Sequence, residues 1–573
     1  RTPNEECYIM QKLARVGFHT NNVDNCARIC HGPSVAGLSL SFGSGAATNP
    51  FEDVLNSDFI LVWGSNAVEA HPLAGRRIAQ AKMKGIPIMV VDPRYSPTAR
   101  LADTWIRFNP STHIALINSM MYWIIKENLH DKEFIEKRTK GFEDLKKTVE
   151  NYADVEKITG VPVETVKDMA RKYASAKNGV IIYCLGITEL TTGTDNVRSL
   201  GNLSMLCGNI GRPGVGVNPL RGQNNVQGAC DMGAYPNVYS GYQKCELPEM
   251  RKKMEDAWGM PAGSLPEWYG STLTEQISQC GDPIKAMYIF ALNPAVSYPD
   301  SNHVKRSLDK LDFLVVQDIF FTETCEYADV ILPGASFAEK DGTFTSGERR
   351  INRVRKAVNP PGEAKEDWEI FVLLAKKLGL KGFDFKSPQE IWDDVRSVTP
   401  SMFGATNARI DIPGSVHWPC PTVEHPGTPI LHKEKFASPD GLGTFFGIEY
   451  RPPAEVADAE YPFTLMTGRL IFHYHTRTQT DRAKVLHYEV PENFVQINTE
   501  DAKRLGINEG DHIKVRSRRG ETTPLARVTD EVAPGVLYMA MHFPNGANNL
   551  TNTALDPMSK MPELKHCAVA VEK

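Results

Sequence analysis

Cys30 and His31 stand side by side in "NNVDNCARICHGPS", residues 21–34, with Cys26 and Arg28 just ahead of them. A neighbouring positive charge draws a thiol toward the thiolate, its nucleophilic and metal-binding form. A soft thiolate beside a proton carrier suits covalent catalysis or ligation of a soft metal, and the pair alone does not choose between them. Cys26 has no second cysteine pair at zinc or iron–sulfur spacing to join it, so it reads as structural. The "HYH" of His473 to His475 puts both imidazoles on one face if extended; a polar rim is favoured over a zinc pair. Residues 208–233, "GNIGRPGVGVNPLRGQNNVQGACDMG", gather Arg221, Gln223, Asn224, Asn225 and Gln227 in a glycine-rich stretch. Glycine lets backbone approach a ligand, the amides supply donors and acceptors for a polycyclic phosphate-bearing group, and arginine clamps a carboxylate bidentately.

Such residues need a scaffold. Short apolar runs ending in Gly, Asn or Asp alternate with helix-like segments: "DFILVWGSN", "IPIMVVDPR", "NGVIIYCLGIT", "IKAMYIFALNP", "DFLVVQDIFF" and "ADVILPGAS". This alternation predicts parallel strands buried on both faces, in a doubly wound α/β architecture. Asn66 and Asp92 recur at matched spacing as Asn293 and Asp318. Ligands sit beyond the carboxyl ends of such strands, so two half-sites suggest two similar ligands or one with similar halves. From about Arg350 the composition turns to Pro-, Lys- and Trp-containing segments with one good helix, "EDWEIFVLLAKKLG". Short strands and turns at the C-terminal end predict a small β-barrel.

At 573 residues the chain has material for roughly three or four domains. With 23% charged residues and a net charge of -5, no nucleic-acid stripe or basic membrane-seeking face is implied. No apolar run approaches the roughly 20 residues that span a bilayer. Eleven cysteines cannot all pair internally, so free thiols and a cytoplasmic location are expected. Arg1 is followed by no signal-peptide pattern, as in a truncated or processed chain.

Taken together, "VDNCARICHGPSVAGL" and "NPLRGQNNVQGACDMG" resemble the two signatures of formate dehydrogenase catalytic (alpha) subunits in the molybdopterin oxidoreductase (DMSO reductase) family. The resemblance implies Cys30 as ligand to molybdenum or tungsten, His31 as proton relay and Arg221 as the anchor of the formate carboxylate. It implies a bis-molybdopterin guanine dinucleotide cofactor held by Gly64, Asn66, Glu69, Asp92 and Arg94, by Gly186 and Thr188, by Gly222 and Gln223, and by Asn293, Gln317 and Asp318. Gly468, Arg469, His475, Thr476 and Asn548 would complete the cover from the barrel. The implied fold is two doubly wound Rossmann-like domains related by a pseudo-twofold repeat, plus a C-terminal six-stranded β-barrel of double-psi type. The expected division is 27–223 for the α/β domain with the metal-ligand loop, and 1–26 with 224–335 for the second. Residues 336–455 are expected to connect, partly as a remnant of the iron–sulfur domain, with 456–573 as the barrel.

A [4Fe-4S] cluster is expected in the full-length protein ahead of the metal-ligand loop. Electrons would pass to a partner subunit carrying iron–sulfur clusters, with or without a flavin. His113, Glu189 with Leu190, and Ser346 with Gly347 depart from the family's usual residues. Nitrate reduction and formylmethanofuran oxidation are the enzymatic rivals on the same scaffold. A non-catalytic relay or scaffold subunit would have no reason to keep Cys30, His31 and Arg221 together.

Overall fold

The computed structural model describes residues 2–412, 414 and 416–573. The chain forms two compact units. One comprises Arg1–Arg28, Arg221–Asn293 and Val304–Pro429; the other comprises Ile29–Leu220, Pro294–His303 and Ile430–Lys573. The chain leaves one unit for the other at Arg28 and again after Leu220, beside each of the two signature loops.

The larger unit is built on five parallel strands: β1 (Phe59–Trp63), β2 (Ile88–Val91), β3 (Thr104–Ile106), β4 (Gly179–Tyr183) and β5 (Gly216–Pro219). Their spatial order is β3-β2-β1-β4-β5. Every residue of β1, β2 and β4 is buried. Alternate side chains reach separate cores: Leu61, Trp63, Ile181 and Tyr183 join one, while Ile60, Val62, Val180 and Ile182 join the other. That is the burial expected when helices cover both faces of a parallel sheet. The helix Pro72–Met83 carries the chain from β1 to β2, starting on a proline that suits a first helical turn. Helix Gly193–Leu206 carries it from β4 to β5. The strand order reverses between β1 and β4, the switch point where such sheets bind ligands.

In the other unit, β6 (Ala286–Phe290), β7 (Phe313–Asp318) and β8 (Val330–Pro333) form a smaller parallel sheet ordered β8-β7-β6. These strands are not buried on both faces, as their apolar runs suggest. Helix Asp367–Lys377 covers one face through Phe371, 5.9 Å from Tyr288 and 5.1 Å from Phe290 between ring centroids, whereas Phe313, Val330 and Ile331 are exposed. Within 336–455 the structure holds the expected helix and a second, Pro388–Val398, whose Ser387 accepts a capping hydrogen bond from Glu390 N.

The C-terminal part of the larger unit is a curled sheet of seven strands where six were expected. They are β9 (Phe463–Gly468), β10 (Phe494–Ile497), β11 (Lys514–Arg516), β12 (Glu521–Thr522), β13 (Leu525–Val528), β14 (Val536–Ala540) and β15 (Cys567–Glu572). The order is β12-β11-β15-β9-β14-β10-β13. The added member is β12, a two-residue strand paired to β11 across the Arg518–Gly520 turn. An isolated bridge from His512 to Leu525 ties the region ahead of β11 to β13 and curls the sheet toward closure. Alternate residues, Phe463 and Leu465, Val495 and Ile497, Leu537 and Met539, Cys567 and Val569, fill its interior. Among the described residues no helix is long and apolar enough to cross a membrane.

Candidate active site

Cys30 and His31 directly precede helix Gly32–Phe42, whose N-terminal end favours negative charge. Both side chains are buried. Thr188, at the end of the short helix after β4, donates its hydroxyl to the Cys30 carbonyl at 2.6 Å and so pins the thiol-bearing backbone. The His31 ring lies between two oxygens. Its Nδ1 is 2.9 Å from Ser34 Oγ and its Nε2 is 2.9 Å from the Leu220 carbonyl. The same carbonyl accepts the Cys184 thiol at 3.1 Å.

At the carboxyl ends of β1 and β4 opens a cavity lined by Gly64, Asn66, Asp92, Arg94, His113, Gly186, Gly468, Arg469, Tyr538 and Lys565 among others. Its floor exists because two glycines meet: a Cβ on Gly186 would stand 2.7 Å from Gly64 Cα. Gly64 has φ +56, a conformation few side chains tolerate. A Cβ on Gly468 would meet the Tyr538 hydroxyl at 2.3 Å.

One end of the cavity is rich in charge. Arg94 stacks 4.0 Å from the Tyr538 ring centroid and lies 3.8 Å from Glu69, whose carboxylate accepts from Asn66 Nδ2. Burial pushes the Asp92 carboxyl up to about 6, against the opposing pull of the Arg94 N–H and the charges of Arg94 and Lys565. His113, where the family pattern has Asp, accepts from Trp63 Nε1 at 3.0 Å, and burial drops its pKa to about 3, so it is a neutral anchor. A narrow recess continues along Leu185, Thr467, Arg469 and Lys565 to His475 and Asn548. There Lys565 forms an ion pair with Glu189 at 3.2 Å.

The remaining expected contacts are dispersed. Thr476 is buried against Thr478. Gln223 lines a separate cavity in the other unit, together with Cys7, Cys26 and Asn225, and Gly222 follows Arg221 in the same loop. Asn293 accepts from Thr324 and donates to Glu323, both at 2.7 Å. Gln317 is fully buried with its amide committed to Asp367 and Tyr288, while Asp318 caps the next peptide, Ile319 N.

Arg221 is buried near Cys230, its Nη1 3.8 Å from the Sγ. Next to Cys230, Asp231 accepts from Gln227, Tyr242 and Trp418 at 2.7–2.8 Å. Burial raises the Asp231 carboxyl to about 7, with those donors and the Arg221 charge opposing.

The two imidazoles of "HYH" have different surroundings: His473 is fixed by Thr480 and the Val490 carbonyl, whereas His475 lines the recess at a positive φ of 51. Among the described residues no group of three or more His, Cys, Asp or Glu is placed to hold a metal. Tyr538, Lys565, Cys184 and Tyr183 were not legible as site residues. Tyr183 and Cys184 close an apolar run, while Lys565 sits ahead of a strand, where the carboxyl-end rule does not look.

A cation-rimmed cavity at the switch point of a parallel sheet, with a buried Cys-His loop in the same unit, is the arrangement expected of an enzyme that binds a nucleotide-like cofactor. The chain belongs to the molybdopterin oxidoreductase family: the family model "Molybdopterin oxidoreductase" matches residues 1–377, and "Molydopterin dinucleotide binding domain" matches 463–568. It is 50% identical to F420-dependent formate dehydrogenase 1 subunit alpha of Methanococcus maripaludis, over 100% of this chain and 85% of that protein. Identity is 52% to F420-dependent formate dehydrogenase subunit alpha of Methanocaldococcus jannaschii, with the same coverage, and 43% to formate dehydrogenase H of Escherichia coli, over 100% of this chain and 80% of the relative. The fold matches acetylene hydratase from Pelobacter acetylenicus with a TM-score of 0.77 at 19% identity, covering 99% of this chain and 84% of that one.

Proposed function

We propose that the chain is the catalytic subunit of a formate dehydrogenase, converting formate to carbon dioxide or the reverse. The observation that carries this reading is identity of 50% across the whole chain to formate dehydrogenase alpha subunits, in a sequence that holds Cys30, His31 and Arg221 together.

The residues fit a molybdopterin dinucleotide. The paired glycines form a cradle that a Cβ would fill, and Arg469 Nε in the cavity wall is buried with no hydrogen-bond partner within the protein. Protein donors alone make no multi-ligand metal site among the described residues, so a metal here needs a chelate that supplies its other donors. We assign Gly64, Asn66, Asp92, Arg94, Gly186, Gly468 and Arg469 to one molybdopterin guanine dinucleotide, and Asn293 and Asp318, at the ends of β6 and β7, to a second, with Gln317 supporting that end from within the core through Asp367 and Tyr288. A Rossmann-like reading of both halves, the second covered by a helix on one face, a double-psi barrel over the pterins and the domain limits expected above belong to the same proposal. So does a [4Fe-4S] cluster in the full-length protein, with an iron–sulfur partner subunit as the route for electrons.

When bound, the pterin-held molybdenum or tungsten accepts the two electrons that formate loses. The protein's part is placement. The Cys30 thiolate would be the metal ligand, its backbone held in position by Thr188. The Arg221 guanidinium takes both carboxylate oxygens in its planar fork, which sets the direction of the C–H bond. His31, the proton relay that the family resemblance implies, would take the proton that leaves as carbon dioxide forms at Nδ1, with the Ser34 hydroxyl turning to accept from it.

Arg221→Lys keeps the charge and loses the fork. We expect KM for formate to rise at least about tenfold, with metal content within about twofold of wild type, by elemental analysis and dye-coupled kinetics. Parallel loss of metal and activity would make Arg221 structural.

A further inference from the structure

The buried surroundings of His31 contain two hydroxyls to which neither the sequence signatures nor the proposed mechanism gives a role. The Tyr183 hydroxyl donates to Ser34 Oγ at 2.8 Å, and Ser34 Oγ lies 2.9 Å from His31 Nδ1. The rings of His31 and Tyr183 also meet edge to face, with centroids 6.2 Å apart. All three side chains are fully buried, at 0% exposure.

The direction of each hydrogen bond follows from which atoms can donate. The Leu220 carbonyl only accepts, so His31 Nε2 carries a hydrogen. In the neutral ring Nδ1 is then an acceptor, and the Ser34 hydroxyl must point its hydrogen there. Ser34 Oγ is left with lone pairs, and the Tyr183 hydroxyl fills one of them. For the neutral ring, the chain runs Tyr183 O–H to Ser34 O–H to His31 Nδ1, with His31 Nε2–H to Leu220 O, and the Cys184 Sγ 3.9 Å from Nε2.

We propose that Ser34 and Tyr183 are positioning residues of the formate reaction, holding His31 as the Nε2–H tautomer with its ring plane fixed beside Cys30. Which nitrogen of an imidazole carries the proton is set by the hydrogen bond that the other makes. An imidazole oriented by a further group is also the general arrangement of activated catalytic pairs. The two residues come from separate elements: Ser34 from the first turn of helix Gly32–Phe42 and Tyr183 from the last position of β4. The parallel sheet therefore sets the ring through Tyr183 while the helix sets it through Ser34. The inference rests on the formate dehydrogenase reading for the reaction it serves, and on geometry alone for the ring it holds.

The test uses the metal-loaded enzyme carrying Ser34→Ala, Ser34→Thr or Tyr183→Phe, with two readouts. Ser34→Ala should lower kcat for formate about 10- to 100-fold while KM and metal content stay within about twofold. Ser34→Thr, which keeps the hydroxyl, should recover most of the loss, and Tyr183→Phe should show a smaller drop in kcat. Independently of substrate, crystal structures should show the His31 ring rotated or split between orientations in Ser34→Ala and in place in Ser34→Thr. An unmoved ring in Ser34→Ala, or loss of metal in step with kcat, would overturn the proposal. A wild-type enzyme loaded with metal and inert to formate would instead overturn the reaction assignment, and the ring position would still decide the positioning role.

Discussion

Cys30 differs from the other ten cysteines less in burial than in company. Most of these are buried thiols such as Cys567, which burial pushes up to about 12 in the barrel interior. Cys30 instead immediately precedes His31, the N-cap of helix Gly32–Phe42, and its carbonyl is pinned by Thr188. Cys30→Ser should abolish metal retention or reduce it severely with little change in thermal midpoint of the metal-free protein, checked by elemental analysis and calorimetry. Asp92 carries a second residue-level expectation. Its folded pKa of about 6 lies above the ordinary value near 3.9, so between those limits the folded state binds more protons than the unfolded one. Its contribution to stability is full below about pH 4 and is lost as pH rises through 6. Asp92→Asn should therefore flatten that part of the pH profile and raise the midpoint of the cofactor-free protein above pH 6, measured by thermal melts from pH 4 to 8. The type of residue at these positions was legible in sequence. The hydrogen bonds that fix them were not, because Thr188 reaches Cys30, and Tyr183 reaches Ser34, across more than a hundred residues of chain.

At the scale of elements, the strands most clearly written in the sequence are β1, β2 and β4, because burial on both faces leaves no room for polar alternation. The same kind of apolar run misleads for β8, where Val330 and Ile331 are exposed. Apolar content alone does not report which faces have cover. Helix Pro388–Val398 was missed for a different reason: it lies in a Pro- and Trp-rich stretch whose composition suggests a connector, although Ile391, Trp392 and Val395 carry a helical stripe into the core. The junction of β1 and β4 gives the strongest element-level expectation. Gly186→Ala would drive a methyl into the Gly64 backbone at 2.7 Å, and backbone cannot rotate out of the way. We expect destabilisation of about 1–3 kcal/mol, by denaturant titration, together with loss of bound pterin measured by its fluorescence after oxidation. Gly85, next to which nothing lies within 4 Å, serves as the control for a glycine whose substitution meets no steric obstacle, strained only by its φ of +78.

Over the whole molecule, the sequence is divided so that neither unit contains all three residues expected to act on formate: Cys30 and His31 belong to one and Arg221 to the other. Linear spacing could not reveal that division, because it is set by which segments pack together rather than by their order in the chain. The net charge of -5 and the cation-rimmed cavity agree with small anionic partners rather than a nucleic acid. The most direct measurement is metal analysis of the full-length protein combined with dye-coupled turnover of formate and of nitrate on the same preparation. The assignment predicts molybdenum or tungsten near one atom per chain and viologen reduction by formate, with none of the reverse dye oxidation by nitrate. A metal-loaded preparation that is inert to formate and turns over nitrate would contradict it.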